Sequence, residues 1–204
     1  CFSNMFKKLL LLVLLLVSIA SPDIFIIKGS IPANLCVDSL NKQYRRIYTI
    51  LNPTIPVDTA TVTVIFYKQS EGKVLGVRLP EWGGGGAIGR DSIVIPIDRA
   101  GVIHGGNYQK ILVHEITHIA LSRVYGFVKV PRWFHEGLAM VLAGEISFED
   151  QLELSKALLF NRIMSLDSIE YLNRFSASKA KVAYCVSHFA VQFLLDNYGY
   201  DLLP

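Results

Sequence analysis

His114, Glu115, Ile116, Thr117 and His118 spell HEITH, an instance of H-E-x-x-H. In a helix, residues four apart lie one above the other on one face, so His114 and His118 can both aim a ring nitrogen at one ion. Glu115 is turned about 100° from His114 at 3.6 residues per turn. That turn lets it reach a water on the metal without being a ligand, which is the geometry zinc hydrolysis needs. With five histidines and eight glutamates placed at random, the pattern arises in roughly 0.005 of chains of this length. The bland alternative is a polar stripe on a surface helix with idle histidines. Ile111, Leu112, Val113, Ile116, Ile119, Leu121 and Val124 argue against it, because they surround the motif on nearly every side and predict a buried helix. Two imidazoles and a carboxylate are costly there unless compensated, and a divalent metal compensates them.

Catalytic zinc takes three protein ligands plus water, so a third ligand is required. The stretch Pro131 to Ala139, PRWFHEGLA, supplies Glu136 eighteen positions after His118. Pro131 suits a helix start, and a short loop through Gly126 would fold this helix back on the first. His135 competes for the position; spacing and the adjacent E-G-L-A favour Glu136. The two point about 100° apart on a helix, so only one can face the ion. A carboxylate also partly neutralises the dication. Trp133 and Leu138 are expected on the buried side of this helix, and Gly137 and Ala139 are expected to let it approach the histidine helix closely.

The elements that must carry these residues follow from periodicity. From Asn34 to Leu51, apolar residues recur at spacings of three and four, a helical face ended by Asn52 and Pro53. Three short β-branched runs follow, Thr61 to Tyr67, Val74 to Leu79 and Ser92 to Ile97, punctuated by Gly and Pro as in a small sheet. Pro96 makes the third an edge strand or ends it there. Helical patterns then cover Asn107 to Tyr125, Arg132 to Ala143, Phe148 to Phe160 and Lys179 to Tyr198. The fold class is α+β, a small mixed sheet in the N-terminal half packed on a helical C-terminal half. No repeat or low-complexity linker interrupts it apart from Gly83 to Gly86.

HEITH followed by W-F-x-E-G-L-A resembles the gluzincin zinc metallopeptidases, and especially the peptidase MA-like domains, with their H-E-x-x-H then W-x-x-E-G-L-A. Val182 to Gly199 (VAYCVSHFAVQFLLDNYG) resembles the helix after the zinc site in these domains and in aminopeptidase N-like enzymes. The resemblance spans Asn107 to Gly199. It implies a zincin architecture with a thermolysin-like arrangement: Zn2+ on His114, His118 and Glu136, Glu115 as general base, and Tyr184 stabilising the oxyanion. The bland reading of Tyr184 is a core tyrosine beside Val182, Val186 and Phe189. The aminopeptidase G-x-M-E-N segment is missing, so aminopeptidase specificity has no support. In its place Glu81 to Gly89 leads into the third strand, and by analogy Gly85, Gly86 and Ala87 would bind an extended substrate along an edge strand. The bland reading is a flexible hairpin turn. These domains usually continue beyond this helix, so the resemblance implies a portion beyond Pro204.

Composition bounds the rest. The 204 residues are 51% hydrophobic with a formal charge of +3, too apolar for disorder and long enough for one domain. Lys7 and Lys8, the apolar run Leu9 to Val17, then Ser18, Ile19 and Ala20 form an n-region, an h-region and a small-x-small site. Residues 1–20 therefore read as a signal peptide, with an uncleaved anchor as runner-up because Phe25 to Ile27 resume the apolar character; residues 21–204 form a single domain. Without the two lysines the charge falls from +3 to +1, which removes an electrostatic case for nucleic acid or acidic membranes. The remaining cysteines, Cys36 and Cys185, are expected as buried thiols, with a bridge as the alternative. His104 and His188 stand at no ligand spacing and are assigned to structure or surface. The expectation is an exported zinc metallopeptidase of the periplasm, envelope or exterior, acting on a peptide or protein substrate, with membrane contact only through its N-terminal segment. A zinc hydrolase of non-peptide amides or esters, and a silent zinc-stabilised binding module, are the alternatives.

Overall fold

The computed structural model describes residues 23–33, 35–52, 54–99, 107–126, 130–200 and 203. The leader and His104 lie outside the described residues. The elements in chain order are strand β1 (Phe25–Gly29), helix α1 (Val37–Leu51), strands β2 (Val62–Tyr67), β3 (Gly86–Ile88) and β4 (Ser92–Pro96), and helices α2 (Tyr108–Tyr125), α3 (Arg132–Ala143), α4 (Phe148–Leu159) and α5 (Ala177–Tyr198). A 3-10 segment, Leu166–Arg174, joins α4 to α5. The class is α+β.

The sheet order is β1-β2-β4-β3. β1 runs parallel to β2 with Phe25 opposite Val62, β2 runs parallel to β4 with Val64 opposite Ile93, and β3 is antiparallel to β4 with Ala87 opposite Ile93. Parallel neighbours need a crossover, and α1 provides the first. Its face Leu40, Tyr44, Ile47, Tyr48 and Leu51 is buried, and it lies against α2. Inward residues of the strands, Val62, Val64, Phe66, Ile93 and Ile95, meet Ile111, Leu112, Ile116 and Ile119 of α2 in one core. α2 starts where Asn107 accepts a hydrogen bond from the Lys110 amide and stops at Gly126, whose φ is 60°. In its last turn buried Arg123 donates to the Tyr44 hydroxyl (3.0 Å), the Ala60 carbonyl (2.9 Å) and the Arg90 carbonyl (2.7 Å). That one guanidinium fixes α2 to α1 and to both ends of the sheet's loops.

Two expectations change, at Val74 to Leu79 and at Cys36. Val74 to Leu79 is no strand: Leu75 and Gly76 both have positive φ (51° and 76°), and only Val74 and Val77 bridge across the turn they make. Phe25 to Ile27, whose apolar character suggested the anchor alternative, belong to β1 and pair with β2. β4 ends at Pro96, one of the two outcomes expected, and lies inside the sheet, whose edges are β1 and β3. Cys36 is exposed rather than buried; Cys185 is buried, and both are free thiols. Among the described residues no helix is long and apolar enough to cross a membrane.

Candidate metal centre

α2 has buried residues on every side, which places His114 and Glu115 inside the molecule, with His118 half-buried where the helix borders the cleft. α3 begins after Pro131, and Glu136 sits in its second turn facing α2. Glu136 Oε2 lies 3.4 Å from His114 Nε2 and 3.5 Å from His118 Nε2. One donor atom from each of the three residues falls within 4.8 Å of the others. Tetrahedral zinc ligands at 2.0–2.1 Å from the metal stand about 3.3 Å apart, so the spacing and the two-imidazole, one-carboxylate donor set both fit that ion.

The surroundings orient the donors. His114 Nδ1 is 2.7 Å from Glu145 Oε2. A proton there, donated to the carboxylate, leaves the Nε2 lone pair facing Glu136, the tautomer a metal ligand requires. Glu136 Oε1 is 3.2 Å from Arg132 Nη2, which also donates to Asn173 Oδ1 at 3.0 Å. The local field favours positive charge at this point. Burial would push the His114 imidazole down, but the Glu145 charge and the hydrogen bonds to Glu136 and Glu145 hold it well above its usual value. Burial would likewise raise Glu136, yet His118, with the hydrogen bonds from both histidines, keeps it well below the usual carboxylate range. Glu115 stands outside the convergent three, and burial, opposed by His114 and His118, raises it.

His135 is not among the convergent donors. It stacks on His118, with ring centroids 5.8 Å apart at 25°, and burial lowers it to about 4. Tyr184 on α5 stands at the cluster, its ring edge-on to His114 at 6.3 Å and to Trp82 at 5.8 Å. Burial, then the charges of Glu136 and Glu115, push its phenol well above the usual range. The glycine segment also reaches the centre. A Cβ placed on Gly85 would lie 3.0 Å from Glu115 Oε1 and 2.8 Å from Ile95 Cδ1, so a side chain here would push both away. Gly86 lies under Leu79, and Ala87 is in β3. All three line a cleft of ≈ 1180 Å³ that runs between the sheet edge and α2, α3 and α5. Gly137 takes another part than expected: its missing side chain accommodates Ser187 and Val191 of α5, not α2. His188 is buried on α5 beside Phe189.

Sequence reasoning did not find Glu145, Arg132 or Trp82. Arg132 was legible as an (i, i+4) partner of Glu136. Glu145 depends on the left-handed turn at Gly144, which ends α3 and brings the carboxylate back to His114.

The profile of the Peptidase MA superfamily matches residues 54–204. The chain belongs to this superfamily. Comparison with curated proteins and with solved structures finds no match. The match to the peptidase MA superfamily takes in β2 and everything after it; β1 and α1 precede the matched residues but share their sheet and core. Membership in a peptidase superfamily, on a chain with three convergent metal-type donors, points to metallopeptidase activity.

Proposed function

We propose that this chain is an exported zinc metallopeptidase of the gluzincin type, with a zincin catalytic architecture that hydrolyses peptide bonds of a peptide or protein substrate. The observation that carries the reading is the convergence of His114, His118 and Glu136 with Glu115 next to them but outside the donor set. Zinc held by those three supplies Lewis acidity toward a carbonyl and a water that is acidic near neutral pH. The chain does the rest. Glu115, its carboxyl raised by burial, takes a proton from the attacking water and passes it to the leaving nitrogen. Tyr184, beside His114 and with its hydroxyl kept protonated, donates to the carbonyl oxygen as negative charge develops. Glu145 and Arg132 hold His114 and Glu136 in place. Gly85 to Ala87 offer backbone at the sheet edge to an extended substrate. Export rests on the basic and apolar leader alone.

A silent zinc module would have no use for Glu115, and this decides the experiment. Glu115→Gln should retain one zinc per chain and native folding while hydrolysis of a peptide library falls by at least about 10². Loss of zinc, or full activity, would overturn the assignment.

A further inference from the structure

Residues 77–86 line the cleft, reaching from the sheet to the helical half at Trp82 and back again at Gly85. On the near side Arg99 Nη1 donates to the Pro80 carbonyl at 2.6 Å, and the Gly83 amide donates to the same oxygen at 2.9 Å. At the far point Trp82 enters the other half of the molecule. Its Nε1 donates to the Phe175 carbonyl at 3.1 Å, and its ring meets Tyr184 edge-on. The indole packs against the small cluster of Ile169, Leu172, Ala180 and Ala183, all from the helical half. Three residues further on, Gly85 is back against Ile95, Ile111 and Glu115. Three residues of chain reach at most about 11 Å, so the crossing is made directly beside the catalytic carboxylate and the tyrosine.

The strap therefore has two fixed feet, Pro80 held by Arg99 and Gly86 paired with Val94 of β4, and one seated tip between them. Its tip is held by a single indole, half-buried, next to exposed Glu81 on one side and a run of four glycines on the other. Glycine backbone bends at the least steric cost. Trp82 serves no role in the chemistry derived above, and the fixed walls of the cleft do not need it to bring the donors together.

We propose that Trp82 is a latch: the strap 77–86 lies across the cleft while the indole sits between Phe175 and Tyr184, and access to the metal centre opens when it leaves that seat. The bearing on substrate entry rests on the metallopeptidase reading, whereas the latch itself does not. Wild type, Trp82→Phe and Trp82→Ala are loaded with zinc, and removal of the metal by 1,10-phenanthroline is timed. Hydrogen exchange of residues 77–86 is measured on the same samples. Trp82→Ala should speed metal removal and strap exchange by at least about tenfold while exchange in β2, β4 and α2 stays at the wild-type level. Trp82→Phe, which keeps a ring and loses the N–H, should fall between. Unchanged rates in Trp82→Ala overturn the latch. So does loosening spread through the whole helical half, which would make Trp82 an ordinary core residue. Wild type that takes up no zinc refutes the metal reading instead, and strap exchange alone then decides the latch.

Discussion

His135 and Glu136 are neighbours that point about 100° apart on one helix, and only Glu136 joins the convergent donors. Glu136 places a carboxylate oxygen within 3.5 Å of both motif histidines, while His135 lies flat on the outer side of His118. Glu136→Ala removes a donor and a compensating charge together, and it should lose zinc on dialysis against a mild chelator; His135→Ala should keep it. Metal content after dialysis reads the outcome, and the reverse pattern would exchange the two roles. Glu145 acts one bond further out. Glu145→Ala leaves all three donors present but frees the His114 ring, so zinc affinity should fall about 10- to 100-fold, measured by competition with a chromophoric chelator. The donor pair was legible in HEITH because helical spacing alone fixes it. Glu145 was not, because 31 positions separate it from His114, and only a turn of the backbone at Gly144 brings them together.

At the level of elements, the helices were readable and the sheet was only half so. Asn107, Gly126, Pro131 and Gly144 punctuate α2 and α3 locally, and local chemistry suffices to place them. Strand pairing is not local. Phe25 to Ile27 become β1 by finding Val62 to Val64 more than thirty residues away, and Val74 to Leu79, despite its two valines, finds no partner strand because its own turn diverts it. Gly137 shows the same limit, since a small residue on α3 does not disclose which neighbour needs the space. The structure names α5. A Cβ on Gly137 would stand within clash distance of the Ser187 carbonyl and of Val191 Cγ2. Gly137→Ala should therefore destabilise by about 1–3 kcal/mol through a shift of α3 against α5, read as a lower denaturation midpoint. Because α3 carries Glu136, weaker zinc binding should accompany it. A Gly137→Ala protein as stable as wild type would show that the two helices move apart at no cost.

On the scale of the whole molecule, the centre joins α2, which belongs to the core with the sheet and α1, to α3, which packs on α5. A metal on His114, His118 and Glu136 would thus tie α2 to α3, which already meet in one core, as well as act as a reagent. Free zinc at a thousand times its dissociation constant stabilises the native state by about 4 kcal/mol. For a chain of this size that corresponds to roughly 8–16 °C in Tm. Calorimetry with and without a chelator checks it, and equal melting temperatures would mean that no ion bridges the two helices. The burial of α2 on nearly every side has a consequence in time. A helix that is open only along its narrow cleft side, at Lys110, His118 and Ser122, has little to hold its shape alone in water, so it is fixed as the sheet and α1 close on it from one direction and α3 from another. His114 and His118 come into register with Glu136 only through that packing. A chain made in a zinc-poor medium would then reach its native shape with the donors already converged, and an ion would enter a finished site.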